Sequence, residues 1–306
     1  MIPLRLLSPG DRVALVAPAS SFPRDQFDAG VAELARLGFD AVYDESVFAK
    51  DRFVAGSAET RAKAINDAWA DSSIAALVAV RGGYGSAHVL PLLDATLLRD
   101  TRKALIGYSD ITAVLSFYLN NGLTAIHGPM VDRRLAKGPE GYDEASFRRV
   151  LMAAGPAGEL CPAQLESLHD GEASGVLIGG TLSQIASLLG TPWALKVPPG
   201  AVMFLEDVNE RPYRIHRLLT QLEQAGTLQR LSAIVFGEFP GCDEPGGELP
   251  ICDVLHDFTD DFRGPVLFGF PSGHTAGASW TLPLGVRVRV VGNARPLLIV
   301  TEAAVA

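Results

Sequence analysis

Ser109 stands in Gly107-Tyr108-Ser109-Asp110, between the strand-like run Ala104 to Ile106 and a segment of helical character that ends at Asn120. A serine on a tight strand-to-helix turn presents its hydroxyl at the carboxyl edge of a sheet, and the N–H groups of the helix N-terminus point at the same place. Access to a substrate and donors for a developing oxyanion are what a nucleophilic serine requires. The same residue serves equally well as an N-cap. The GxSxG pattern is not met, because Ile111 stands where the second glycine belongs. Arg81-Gly82-Gly83-Tyr84-Gly85 follows Ile74 to Val80, the clearest strand in the chain, at the end where open α/β sheets bind ligands. Its glycines suit a backbone oxyanion donor or a plain tight turn. Neither GxxxxGK[ST] nor GxGxxG is present to support a phosphate cradle.

A serine nucleophile needs a base, and the chain offers six histidines. His88 falls in a helical stretch after the glycine turn, His127 ends a strand beside a cleft, and His169 lies between the two halves of the chain. His216 and His256 are on helices. His274 is on a glycine-bearing loop, Pro271 to Thr275, just after the strand Val266 to Phe270, and a loop on a rigid strand commonly presents a catalytic group. Spacing does not choose among the six. No HExxH or carboxylate–histidine cluster appears, which disfavours a zinc hydrolase. Glu206 and Asp207 end the apolar run Val202 to Leu205; either carboxylate can orient an imidazole or cap a helix, and spacing does not choose between them.

These residues need a scaffold, and the first half supplies short apolar runs that alternate with helices. Arg12 to Ala17 is strand-like. Phe27, Val31 and Leu34 mark one face of a helix closed by Gly38, and Ser57 caps a helix with Ile65 and Trp69 facing inward. This alternation predicts an α/β, doubly wound parallel sheet. From about 152 to 171 the composition shifts to Ala, Gly and Pro without periodicity. The expected division is therefore an N-terminal domain over 1–151, a linker over 152–171 and a C-terminal domain over 172–306. The second half is rich in strand signal, above all Val286 to Val291 and Leu297 to Val300, and reads as a β-rich α+β unit.

The 306 residues are 48% hydrophobic and 20% charged, ordinary globular composition that excludes intrinsic disorder. The net charge of −9 gives no electrostatic footprint for nucleic acid. Three cysteines without CxxC spacing argue against a disulfide framework and fit a reducing compartment. Met1 to Arg5 lacks a signal-peptide pattern, and no apolar run approaches the ~20 residues that span a bilayer. The expectation is a cytoplasmic protein that engages neither nucleic acid nor membrane.

The ordered set Ala79-Val80-Arg81-Gly82-Gly83-Tyr84-Gly85, Gly107-Tyr108-Ser109-Asp110, His127-Gly128-Pro129, Ile178-Gly179-Gly180-Thr181-Leu182, Leu205-Glu206-Asp207-Val208, Pro212-Tyr213-Arg214-Ile215 and Gly273-His274 resembles the LD-carboxypeptidase family, peptidase family S66. That family includes muramoyltetrapeptide carboxypeptidases and microcin C self-immunity proteins. The resemblance runs from Arg12 to Gly285. It implies Ser109 as nucleophile, His274 as general base and Glu206 as the carboxylate that orients it. It also implies an oxyanion hole from the backbone N–H of Asp110 with that of Gly83, in preference to Gly82. The implied reaction needs no metal or organic cofactor. It releases a terminal D-amino acid such as D-alanine from a small murein tetrapeptide, in cell-wall peptide recycling. The substrate's free carboxylate would fall to Arg81, Arg211 or Arg214, and members are often homodimers. The alternatives are hydrolysis of peptidyl-nucleotide amides, as in self-immunity relatives, an esterase, and a non-catalytic α/β binding module. Two departures, Thr181 where many relatives have Asn and the absence of Gly after His274, are expected to border the cleft and bear on the substrate.

Overall fold

The structure, a computed structural model, describes residues 1–306. The first half contains β1 (Arg12–Val16), α1 (Arg24–Leu37), β2 (Asp40–Val42), α2 (Ala58–Ala70), β3 (Ile74–Ala79), α3 (Ala95–Thr101), β4 (Ala104–Gly107), α4 (Thr112–Asn120), β5 (Ala125–His127) and α5 (Glu144–Leu151). The five strands are parallel in the order β5-β4-β3-β1-β2. The order reverses between β1 and β3, and the carboxyl ends beside such a reversal form a crevice.

Local chemistry sets these elements. All six residues of β3 (IAALVA) are buried, as befits a parallel strand covered on both faces. Ser57 Oγ accepts from the N–H of Thr60 at 3.2 Å to start α2, whose Ile65 and Trp69 are fully buried. At its other end, Lys103 Nζ donates to the carbonyls of Ala68 (2.9 Å) and Trp69 (2.8 Å), filling acceptors that a helix end leaves open. Gly38 ends α1 at φ +97°.

The second half contains β6 (Gly158–Leu160), β7 (Glu166–His169), β8 (Gly171–Thr181), α6 (Leu182–Ser187), β9 (Ala201–Glu206), α7 (Pro212–Gln224), β10 (Leu231–Gly237), α8 (Ile251–Thr259), β11 (Val266–Phe270), β12 (Leu282–Leu284), β13 (Arg287–Gly292) and β14 (Leu297–Val300). Eight of these strands form a mixed sheet in the order β6-β14-β13-β8-β9-β10-β11-β7. Its centre, β8 to β11, is parallel and joined through α6, α7 and α8; β13, β14 and β6 on one flank and β7 on the other pair antiparallel, with β6 and β7 at the edges.

Two arrangements differ from the sequence expectation. The stretch 152–171 is not structureless, since β6 and β7 lie in it and close opposite edges of the second sheet. Strands of three and four residues with one partner each are fixed by that partner and leave no periodicity to read. In addition, β12 joins the first sheet, antiparallel to β5 with Leu282 opposite His127. Pro283 is tolerated there because an edge strand does not need every N–H.

The two sheets meet at α4. Gly180, at φ +139°, brings the end of β8 so near that an added Cβ would stand 2.7 Å from Thr112 Cγ2 and Oγ1, and the Thr181 N–H donates to Thr112 Oγ1 at 3.1 Å. One apolar core runs through both halves. The seam places the carboxyl ends of β3 and β4 beside those of β8 and β9.

Candidate active site

Ser109 follows β4 at φ +63°, a left-handed conformation that is uncommon for a residue with a side chain and costs on the order of 1 kcal/mol. Its surroundings hold it there. Gly82 packs so closely that a Cβ would lie 2.8 Å from Ser109 Cβ and 3.0 Å from its Oγ. Asp110 anchors the turn from the other side, with its carboxylate accepting from the Ser86 N–H at 2.7 Å. Burial raises the Asp110 carboxyl above its ordinary range, and the bonds from Ser86 only partly offset this.

The Gly82 carbonyl accepts from the Ser20 N–H at 3.1 Å. In a trans peptide the following N–H points the opposite way, so the Gly83 N–H is turned away from Ser20. Gly82 and Gly83 both line the cavity that holds Ser109.

Glu206 ends β9 and is fully buried. Its Oε2 accepts from His274 Nδ1 at 2.7 Å and from the His274 backbone N–H at 2.9 Å. Its Oε1 accepts from Thr181 Oγ1 and lies 3.8 Å from His127 Nε2. Burial pushes the Glu206 carboxyl up, but attraction to His274 and His127 and the hydrogen bonds from His274 outweigh it, so the carboxyl stays well below its usual range. For His274, burial disfavours the cation, yet the charge and hydrogen bond of Glu206 raise its pKa above the ordinary imidazole value. Because a carboxylate only accepts, Nδ1 carries the hydrogen and Nε2 is left for proton transfer. Asp207 is pushed up to about 6 by burial and by Glu206; it accepts from the Ser183 N–H at 2.8 Å and so caps α6.

Ser109 and His274 share a cavity of about 250 Å³ with Arg81, Gly82, Gly83 and Asp132. Asp132 is buried, its carboxylate oxygens make no hydrogen bond, and Oδ2 lies 3.5 Å from Arg81 Nη1. Burial pushes its carboxyl up to about 6, with Arg81 pulling the other way. Arg133, exposed and at φ +60°, lines the same space. A larger groove, about 440 Å³, lies between the end of α7 and α8, but it holds no serine beside a histidine–carboxylate pair.

The structure therefore brings Ser109, His274, Gly83 and Arg81 to one cavity, with Glu206 directly behind His274. Arg211 pairs with Glu244 and Arg214 with Glu210 at 3.2 Å, and neither lines the cavity. His127 does not reach the cleft: it is fully buried, and its Nδ1 is 2.9 Å from Ser272 Oγ, which itself donates to the Trp280 carbonyl. Thr181 bears on the Glu206 carboxylate rather than on the cleft wall. The sequence reading missed Asp132, Arg133 and Arg134; three charges in a row after the buried segment Ala125 to Val131 were the available signal.

Comparison with known proteins gives concordant matches. The profile of the LD-carboxypeptidase N-terminal domain matches residues 13–128 and that of the LD-carboxypeptidase C-terminal domain residues 174–290. The murein tetrapeptide carboxypeptidase of Pseudomonas aeruginosa is 35% identical over 292 residues, covering 92% of this chain and 94% of that protein. The crystal structure of muramoyltetrapeptide carboxypeptidase from Oxalobacter formigenes superposes with a TM-score of 0.83 at 27% identity, covering 95% of this chain and 99% of that one. The microcin C7 self-immunity protein MccF in complex with glutamyl sulfamoyl guanosine superposes with a TM-score of 0.92 at 24% identity over all of both chains.

Proposed function

The chain belongs to the LD-carboxypeptidase family and is a serine-type carboxypeptidase, and we propose that Ser109, His274 and Glu206 carry its chemistry on a murein tetrapeptide. His274 Nε2 takes the Ser109 proton as Oγ attacks the carbonyl before the terminal D-amino acid, then returns it to the leaving amine. The Glu206 carboxylate holds the imidazole in the required tautomer and stabilises its cation. The N–H groups of Asp110 and Gly83 receive the oxyanion, each such donor being worth about 3 kcal/mol. Water then hydrolyses the acyl-enzyme with His274 as base.

One observation carries this reading: a serine held at positive φ and a histidine bonded to a buried carboxylate line the same cavity, although they are far apart in sequence. Among the three arginines named from sequence, the position of Arg81 in that cavity favours it for the substrate's terminal carboxylate. Arg133 adds a second cation, which offsets the chain's overall negative charge locally. The same reading places the enzyme in the cytoplasm, recycling cell-wall peptides as a homodimer. The unpaired thiols of Cys161, Cys242 and Cys252 fit a reducing compartment. No helix is long and apolar enough to cross a membrane.

Mass spectrometry of the products from LD-linked and DD-linked tetrapeptides tests the proposal. D-alanine released from the LD-linked peptide alone is the expected result. Hydrolysis of a peptidyl-nucleotide amide with the tetrapeptide left intact would instead favour the self-immunity chemistry.

A further inference from the structure

Arg134 is buried, with 7% of its surface exposed, and its guanidinium is satisfied by carbonyl oxygens rather than by a carboxylate. Nη2 donates to the carbonyls of Gly273 at 2.8 Å and Thr275 at 2.9 Å, which flank His274 on either side. Nη1 donates to the Gly277 carbonyl at 2.9 Å and, at 3.4 Å, to that of Gly141. The guanidinium carbon also lies 6.0 Å from the centre of the Tyr108 ring. Tyr108 meets His274 edge-on at 5.1 Å and immediately precedes Ser109. One side chain from the segment after β5 thus touches both the loop that bears the base and the residue before the nucleophile.

Burying a charge among neutral acceptors is costly, and the four carbonyls that Arg134 serves exceed what the two N–H groups of a neutral amide could fill. The groups facing His274 show what the charge contributes. Glu206 and Asp207 at the end of β9 favour the imidazolium, Arg134 opposes it, Tyr108 packs on its ring, and His127 lies behind Glu206.

We propose that Arg134 is a positioning residue for the reaction: its fork fixes the loop so that His274 faces Ser109, and its charge favours the neutral imidazole that the base must be. This rests on the reading of Ser109, His274 and Glu206 as the catalytic set. The structural tie links the two sheets, so the geometry of the base depends on a residue of the nucleophile's half.

The test is the pH profile of kcat/KM for two full-length variants. Arg134→Met loses fork and charge; its rate should fall about 100-fold, with the acid limb moving upward. Arg134→Lys keeps a cation that can donate to carbonyls, as Lys103 does at the end of α2. Its rate should fall about tenfold with the limb unmoved. A folded Arg134→Met enzyme with wild-type rate and limb overturns the proposal. So does a folded Arg134→Lys enzyme whose limb moves as far as that of Arg134→Met, and so does failure of both variants to fold, which would assign Arg134 to the fold alone. Ser109→Ala and His274→Ala run alongside separate the two claims. If either retains wild-type turnover, the catalytic set itself falls; if both are inactive and Arg134→Met is unaffected, only the role of Arg134 falls.

Discussion

Oε2 of Glu206 accepts two hydrogen bonds from a single residue, one from the His274 ring at 2.7 Å and one from the His274 backbone N–H at 2.9 Å. The carboxylate therefore sets both the tilt of the imidazole and the position of the loop that carries it. Glu206 ends β9 and His274 follows β11, two strands of one sheet, while Ser109 follows β4 of the other.

Glu206→Gln should lower kcat/KM by roughly 10³ to 10⁴. Its pH profile carries further information. His274 must be neutral to accept a proton, and Glu206 holds its pKa above the ordinary 6.5, so wild-type activity should fall as pH drops through a value above 6.5. Without the carboxylate, burial dominates and the limb should move to lower pH. A limb that stays in place would mean that Glu206 does not govern the base.

Thr181→Val removes the hydroxyl that donates to Glu206 Oε1 while keeping the shape of the side chain. A buried acceptor left short of a donor costs about 1 to 3 kcal/mol. Steady-state assays should show kcat at least fivefold lower in Thr181→Val and within twofold of wild type in Thr181→Ser. Equal rates in the two variants would count against a role for this bond.

Asp132→Asn should stabilise the fold while weakening substrate binding. The folded-state carboxyl is raised from 3.8 to about 6, so the folded protein binds this proton more tightly than the unfolded chain. Ionisation therefore costs stability, beginning as pH rises above 3.8 and reaching its full extent above about 6, on the order of 3 kcal/mol. Urea unfolding should find the variant more stable at pH 8 and indistinguishable from wild type below pH 4. KM for the peptide should rise, because Arg81 loses the anion beside it. An unchanged KM would separate Asp132 from binding.

Gly82→Ala should abolish most activity with little loss of fold. Its backbone φ is not in the left-handed region, so alanine is conformationally acceptable, but the new methyl would meet Ser109 Cβ at 2.8 Å. A loss of at least 100-fold in kcat, with a Tm within a few degrees of wild type, is expected. Near-normal turnover would show that the turn has room to shift.

The sequence made legible what local chemistry determines. The apolar run of β3, the Ser57 cap, the Gly38 stop and the turn at Ser109 each follow from neighbouring residues. Glu206 and His274 emerged only through the resemblance, since an acid at a strand end and a histidine on a loop have no spacing in common. The edges of the sheets were not legible. β6, β7 and β12 owe their extended form to partners far along the chain, and Leu282-Pro283-Leu284 has too few residues to declare its pairing with β5. Arg134 was hidden for a related reason: three of its four partners are backbone carbonyls more than 130 residues away, which side-chain identity does not encode.

The most direct test of the catalytic set is the rate of terminal D-alanine release from an LD-linked tetrapeptide by Ser109→Ala, in protein whose Tm matches that of the wild type. Removal of the attacking oxygen should lower that rate by roughly 10⁴-fold or more. A rate within tenfold of wild type would contradict it and move the chemistry away from the seam between the two sheets.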